Sequence, residues 1–332
     1  MPNGCLKTHL DILKIENSLI GSKKKLMYRS NNKLFFFLLF VLLIQNNVFS
    51  QDLEPGLLSA LPIGGNIGIA SYGYSQGEIL LDKALPIEDL NAKMSIIALG
   101  YFRSFKLFNR LAKFDVVVPY AIGDYSGLLE GEGASTYRNG FGDPLVRISM
   151  ILIGADPLKP QDFFKKEQKK FKLGVALRAK APIGQYDPEK FINLGANRWA
   201  LRAALAGSYT IKNKLVLESH FSGWFFQEND NFYGGNSLKQ EPLWGLQFHA
   251  TYIFKPGIWL AASIGGVRGG KTQINGVGQT ELNNDRYGLA FAYRLNNKNS
   301  LKVAYTNAFF TASGSDFDTY LLAYQFLWFD KK

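Results

Sequence analysis

The stretch FKLGVALRAKAPIGQYD, residues 171–187, alternates apolar and polar or small side chains with a period of two. Apolar residues from Phe171 to Ala181 occupy the odd positions, whereas Lys172, Arg178 and Lys180 occupy even ones. Because successive side chains of a β-strand point to opposite faces, the stretch predicts a strand with one apolar and one basic face. In a soluble sheet the apolar face would form a core. In a transmembrane barrel it would meet lipid, and the basic face would line a wet lumen.

The same alternation recurs along the chain, and most of the segments reach the roughly 9–11 residues that a tilted transmembrane strand needs. Strands of globular sheets are more often about five or six residues long. After residue 50 there is no apolar run near the ~18 residues of a membrane helix. We therefore predict an all-β fold, an antiparallel transmembrane β-barrel of about twelve strands. The predicted strands lie at residues 66–78, 92–105, 112–124, 142–154, 171–182, 197–211, 214–226, 243–254, 257–268, 285–295, 300–310 and 318–329.

The connections between these strands alternate between long and short. Residues 212–214 and 255–257 are tight turns, whereas residues 126–142 and 227–241 are long polar loops. Outer-membrane barrels have short periplasmic turns and longer outer loops, which favours the transmembrane alternative. The exception is DPLKPQDFFKKEQKK, residues 156–170, on the side of the short turns, where we predict a short helix. That helix would be a partial plug, a docking element or a plain solvated turn.

One residue conflicts with a regular barrel. Pro119 falls inside the predicted strand 112–124, and proline cannot donate a hydrogen bond to a neighbouring strand. A closed barrel has no free edge to accommodate it. We therefore predict a local irregularity near Pro119.

The first 50 residues have the features of a secretory signal peptide. A basic run that ends at Lys33 precedes an unbroken apolar run from Leu34 to Ile44, and Ser50 supplies a small residue for cleavage. We predict cleavage after Ser50, leaving a single barrel domain at residues 51–332. Because residues 1–26 are long for the basic region, we expect translation to start at Met27. The one cysteine, Cys5, lies within these first 50 residues, so the mature chain would have no disulfide.

Aromatic side chains cluster towards the ends of the predicted apolar faces, as in the interfacial girdles of outer-membrane barrels. The last strand, DTYLLAYQFLWF, has an aromatic face of the kind that outer-membrane assembly machinery recognises. The lipid bilayer and that machinery are the predicted macromolecular partners. The girdle residues are Trp199, Tyr209, Trp244, Tyr252, Tyr287 and Tyr293, and the last strand presents Tyr320, Leu322, Tyr324, Phe326 and Trp328.

The face opposite the apolar one is predicted to line the lumen, and its basic residues outnumber its acidic ones. The basic residues are Lys93, Arg103, Lys113, Arg147, Lys172, Arg178, Lys180, Arg198, Arg202, Lys214, Arg286, Arg294 and Lys302. The acidic ones are Asp115, Asp143 and Glu218, and His220 and His249 lie on the same face. A basic, water-filled constriction concentrates anions, and arginine binds carboxylates in a bidentate manner.

We predict the selectivity surface among the arginines and one lysine of this face. Arg147, Arg178, Arg198 and Arg202 lie on neighbouring strands and should form one ladder; Arg103, Lys180, Arg286 and Arg294 complete the set. Asp115, Asp143 and Glu218 are their expected acidic partners. The alternative is that these charges pair with one another or with a folded-in loop and merely fill the barrel. Twelve strands lie between packed eight-stranded barrels and open porins, so both alternatives stay open.

Several blocks of the chain resemble one family in combination and in order. They include DLEPGLLSALPIGG, GFGDPLVRISMILIGA, APIGQYDPEKFINLGANRWALR and GSDFDTYLLAYQF. Together they resemble the outer-membrane barrel family described as transporters of the phenol meta-degradation pathway, over nearly all of residues 52–329. The resemblance implies a bacterial outer-membrane channel for small hydrophobic or aromatic compounds. It implies no catalytic residues.

Other functions are less well supported by the sequence. An outer-membrane lipid hydrolase or acyltransferase needs a nucleophile beside a base, and His220 with Ser222 is the available pair. Two histidines without further ligands do not make a convincing metal site. The glycine-rich stretches lack phosphate-loop spacing, so we predict no cofactor. The basic residues are dispersed at period two in an exported chain, which does not favour nucleic acid. A non-conducting structural or surface-recognition barrel stays as the main alternative.

Overall fold

The computed structural model describes residues 53–80, 87–278 and 281–331. The predicted signal peptide at residues 1–50, its cleavage site and the expected start at Met27 lie outside the described residues. No helix within the described ranges is both long enough and apolar enough to cross a membrane.

Among the described residues, twelve long antiparallel strands close into a barrel, as predicted. They are β1 (Gly65–Leu80), β2 (Ile87–Leu107), β3 (Arg110–Leu129), β5 (Leu145–Ile153), β6 (Phe171–Lys180), β7 (Ala200–Ile211), β8 (Leu215–Phe226), β11 (Leu243–Lys255), β12 (Ile258–Gly269), β15 (Leu282–Arg294), β16 (Asn299–Thr311) and β17 (Gly314–Phe329). Each pairs with its neighbours in the chain, and β1 closes the barrel against β17 in a register that runs from Gly65↔Phe329 to Leu80↔Gly314.

The two faces of each strand differ in exposure as the alternation predicts. In β6, Val175 and Leu177 are exposed, whereas Ala176 and Arg178 between and beside them are buried. The predicted girdle aromatics from Trp199 to Tyr293 are likewise exposed, and so are Tyr320, Leu322, Tyr324 and Phe326 of β17. The apolar face therefore points out of the barrel and the polar face points in.

The irregularity predicted near Pro119 lies on the strand beside it. β3 continues through Pro119, but its partner is interrupted: β4 (Glu132–Phe141) ends before the break and β5 begins after it, at Leu145. At the break, Gly142 donates its N–H to the carbonyl of Pro119 at 2.9 Å. Because proline offers no N–H in return, the regular ladder stops there.

The long connections contain more β-structure than the sequence predicts. Much of residues 126–142 forms a hairpin in which β3 and β4 extend beyond the barrel wall. Four short strands in two other connections pair into a separate small sheet. They are β9 (Asn229–Phe232), β10 (Asn236–Gln240), β13 (Thr272–Ile274) and β14 (Val277–Gly278), and a 3-10 turn at Tyr233–Gly235 links the first two. This end of the barrel is called the loop end, and the opposite one the turn end.

At the turn end, most connections are tight and one carries a helix. The predicted helix in residues 156–170 is present as α1 (Pro160–Phe163). Phe163 packs edge-to-face against Phe164, with ring centroids 5.5 Å apart. The preceding residue Leu158 accepts a hydrogen bond from the N–H of Ile63 at 2.9 Å. This connection is therefore joined to the chain that precedes β1.

The chain before β1 folds into the barrel. We call residues 53–64 the N-terminal segment. Leu57 and Leu58 are buried in a cluster with Leu111, Ile151 and Ala206, which lie on the inner faces of β3, β5 and β7. Burying two leucine side chains contributes about 1.5–3 kcal/mol each. The protein's own chain therefore occupies part of the lumen towards the turn end.

Candidate functional site: the charged lumen and the N-terminal segment

Three arginines form a row across the inner wall. Arg147 on β5 is the register partner of Arg178 on β6, which is in turn the partner of Arg202 on β7. On the other side Arg147 pairs with Asp115 of β3. We call Arg147, Arg178 and Arg202 the arginine row. Like charges directly opposite one another are destabilising on a sheet, so the row needs a negative partner.

Glu54 of the N-terminal segment supplies that partner. Its Oε2 lies 2.7 Å from Nη1 of Arg147, and its Oε1 accepts a hydrogen bond from Arg178. Arg147 also binds Asp115 through Nε at 2.8 Å. Burial opposes ionisation of Glu54, but the positive charges of Arg178, Arg147 and Arg202 outweigh it and hold the pKa of this carboxyl well below its usual value. Glu54 is therefore a carboxylate at neutral pH.

The backbone of the segment is bound by a second carboxylate, Glu218 on β8. Its Oε1 accepts hydrogen bonds from the N–H groups of Gly56 and Leu57, both at 3.0 Å, and its Oε2 accepts one from Leu58 at 3.2 Å. Four strands away around the barrel, Lys113 on β3 donates to the carbonyl of Leu57 and, at 3.2 Å, to that of Ser59. A carboxylate and an ammonium group thus satisfy the backbone groups that the segment would otherwise bury unpaired.

The two lumen histidines belong to the same polar layer. His220 Nε2 lies 2.7 Å from Glu218 Oε1, and the His220 and His249 rings are 4.8 Å apart. His249 contacts Ser263 Oγ at 2.8 Å and Gln247 Oε1 at 3.1 Å. Both histidines therefore contact other polar side chains of the lumen wall. In the part of the chain that the structure describes, no cluster of three or more His, Cys, Asp or Glu side chains could hold a metal ion.

A cavity of about 450 Å³ opens on the loop side of the arginine row. Trp224 and Phe226, both on β8, line it and stack nearly parallel at 13°, with centroids 6.3 Å apart. The guanidinium of Arg202 lies 5.9 Å from the ring centroid of Trp224, and that of Arg198 lies 4.9 Å from the ring centroid of Phe226. The loop-side cavity therefore combines aromatic faces with positive charge.

A second cavity, of about 550 Å³, lies at the turn end and is lined by Pro55, Gly56 and Leu58 of the segment together with Lys172 and Glu218. Ala206, His220 and Gln247 lie on the barrel wall at the level between the two cavities, and all three are buried. Gln247 accepts a hydrogen bond from the N–H of Glu54 at 3.4 Å. The N-terminal segment thus lies between the loop-side and the turn-side cavities.

Other sequence-predicted lumen residues lie above or below this layer. Near the loop end, Asp143 accepts hydrogen bonds from the N–H groups of Gly184 and Ala196, at 2.9 and 2.8 Å, with Lys180 3.5 Å away. Arg198 donates to Gln240. Arg286 is buried and donates to the carbonyl of Ser315. Arg294 lies exposed beside Gly257 at the turn end, and Lys214 is exposed in a turn.

Two of the predicted lumen residues are on the wrong face. Ile97 and Leu99 are the exposed positions of β2, so odd-numbered residues there point outward. Arg103 consequently lies on the outer surface, where its Nη2 binds Asp330 at 2.7 Å. Lys93 shares its parity and is exposed. β2 carries apolar side chains on both faces, so the alternation alone does not show which face points into the lumen.

Sequence reasoning missed Glu54. It precedes the first predicted strand, and the pattern of alternation says nothing about chain outside the strands. One signal was available: the predicted lumen carries many more basic than acidic residues. Because this excess of positive charge would be partly neutralised by a carboxylate from elsewhere in the chain, an acidic residue outside the strands is a candidate. The short apolar stretch LEPGLLSAL, residues 53–61, contains one.

Comparisons with known proteins agree with this architecture. The fold is similar to the crystal structure of an outer membrane channel from Pseudomonas putida F1, with 21% identity, 83% of this chain and 100% of that chain covered, and a TM-score of 0.68. It is more distantly similar to the β domain of the Bordetella autotransporter BrkA (13% identity, 79% and 99% covered, TM-score 0.46) and to the KdgM porin (10%, 78% and 98%, 0.38). At these identities the likeness concerns the fold alone.

No curated protein matches the sequence. A family model does: the one described as "Putative MetA-pathway of phenol degradation" matches residues 73–326, from β1 to β17. That range covers most of the chain and nearly the whole barrel. The chain therefore belongs to this family.

Proposed function

We propose that the protein is a channel of the bacterial outer membrane that admits small aromatic compounds, including carboxylated ones, through its basic lumen. The family description and the outward apolar face support the membrane location and the class of compound. The observation that carries the proposal is the loop-side cavity. There the Trp224 and Phe226 rings offer stacking surfaces, and Arg202 offers a positive charge beside them.

The cavity fits an aromatic acid better than it fits an uncharged aromatic ring or a carboxylate without a ring. A ring stacked on Trp224 gains dispersion and quadrupole contacts. A carboxylate beside Arg202 gains charge-assisted hydrogen bonds of fixed geometry. A cation of the same size would meet Arg202 and also Lys180, whose partner Asp143 is fully buried, and would be repelled.

A proteoliposome swelling assay tests the proposal. At neutral pH, swelling in isosmotic 4-hydroxybenzoate should be faster than in the cation 4-hydroxybenzylammonium. Arg202→Gln should reduce the difference, because it removes one charge from the cavity and keeps the side chain polar. Equal or faster entry of the cation would refute the proposed selectivity.

A non-conducting barrel is the second candidate, and one observation favours it. The N-terminal segment occupies part of the lumen, and its carboxylate neutralises part of the arginine row. If the segment never leaves, the charges serve as packing. The absence of swelling with either solute, from barrels shown to be folded, would support this candidate.

A further inference from the structure

The arginines of the row differ in what they contact. Arg147 and Arg178 hold the Glu54 carboxylate, whereas Arg202, the next in the row, lines the loop-side cavity. The side chain of Glu54 is 29% exposed although that of Arg178 is only 8% exposed. The carboxylate therefore lies at the boundary between the row and the open part of the lumen.

Glu54 is also the only ionisable side chain of the N-terminal segment. The rest of the segment is held by the burial of Leu57 and Leu58 and by backbone hydrogen bonds to Glu218 and Lys113. The ion pairs of Glu54 are thus the one part of the attachment that a small anion could reproduce.

We propose that the arginine row is a carboxylate-binding site that Glu54 occupies as an internal ligand, and that an aromatic acid entering from the loop side displaces it. With its carboxylate replaced on Arg178, the N-terminal segment loses its ion pairs with the row, is held only by its contacts with Glu218, Lys113 and the apolar cluster, and moves towards the turn end. This inference rests on the proposed function for the class of compound and adds how that compound opens the path.

The exchange conserves charge because one carboxylate replaces another, so the number of charges on the row does not change. The incoming acid also gains a ring contact on Trp224 that Glu54 does not make. A ligand shifts a conformational equilibrium only by its differential affinity for the two states. The acid binds the row only when Glu54 has left, so it favours the released segment.

Thiol accessibility measures the release directly. Leu57→Cys in a Cys5→Ser background places the sole thiol at a position that is 8% exposed. The full chain is expressed, and outer-membrane vesicles are treated with a maleimide with and without benzoate. Benzamide, the neutral analogue of the same shape, is the matched control. Benzoate entry is measured in parallel by proteoliposome swelling. Folding of each variant is checked by heat-modifiable migration in gels.

We expect benzoate to accelerate labelling of the thiol at position 57 by on the order of tenfold, through the shift in the segment's equilibrium, and benzamide to leave the rate unchanged. With Glu54→Gln added, labelling should be fast without ligand and benzoate should add little. Entry of benzoate with no change in labelling would overturn the displacement and leave the proposed function intact. Neither entry nor faster labelling would refute both. Equal acceleration by benzamide would show that the carboxylate plays no part in the exchange and would overturn the displacement as well.

Discussion

Glu54 and Arg178 form an ion pair across 124 positions of sequence, between a segment that precedes the barrel and the inner face of β6. Through this pair the chain closes part of the pore that its own strands create. The contact also joins the charged lumen wall to the segment that lies within the lumen.

Removing the charge of Glu54 should open the barrel. Glu54→Gln keeps the size of the side chain but loses its ion pairs with Arg147 and Arg178. Hydrogen bonds to charged groups contribute about 1.5–3 kcal/mol each, so the segment should leave the lumen far more often. We expect single-channel conductance to rise several-fold in planar bilayers. Glu132→Gln, at an exposed position of β4, is the matched control and should conduct as the parent does.

Acid should open the channel by the same route, and only at low pH. The pKa of Glu54 is lowered in the folded protein, so its stabilisation is complete above the unfolded value of about 4.3 and is lost as the pH falls towards the lowered one. Conductance of the parent should therefore be constant from about pH 7 to about pH 5 and rise only below about pH 4. An increase already present above about pH 5 would contradict this assignment. Glu54→Gln should lack the acid-induced step.

A charge on the outer face should prevent insertion. Val175 lies in the middle of β6 with its side chain exposed, and an arginine at the bilayer midplane costs about 2–4 kcal/mol. Val175→Arg should sharply reduce the yield of folded, heat-modifiable protein. Ser135→Arg, on the part of β4 that extends beyond the barrel wall, should assemble normally. A normal yield from Val175→Arg would contradict the assignment of faces.

Gly154, just after β5, should tolerate no side chain. Its φ is +94°, and a Cβ there would lie 2.0 Å from the carbonyl oxygen of Phe171. Strained backbone of this kind costs on the order of 1–3 kcal/mol, and here the main chain must also shift. Gly154→Ala should lower the temperature at which the folded band disappears. Gly207→Ala, with nothing within 4 Å of the added Cβ, should not.

The barrel was predictable because membrane strands repeat one simple rule. In every strand that has one apolar and one polar face, such as β6, this contrast shows which face points out of the barrel. β2 is the exception: Ile96 and Ile97 place apolar side chains on both faces, and the prediction that Arg103 lines the lumen is wrong. The sequence predicts an irregularity near Pro119, and the break lies on the neighbouring strand.

The parts that the sequence did not reveal are those made by contacts distant in the chain. No periodicity predicts that residues 53–64 return into the lumen, or that Glu218 accepts their backbone N–H groups. The same holds for β9, β10, β13 and β14, which are short and pair only with one another. Strand order predicts the arginine ladder. The register places Arg147, Arg178 and Arg202 in one row, and Arg198 lies nearer the loop end.

We propose that the lumen is a basic pathway that the N-terminal segment closes. The most direct test is the reversal potential of the protein in a planar bilayer under a KCl gradient, for the parent and for Glu54→Gln. We predict a small conductance in the parent, a larger one in the variant, and a reversal potential near that of chloride in both. A reversal potential near that of potassium would contradict the assignment of a basic, anion-conducting lumen.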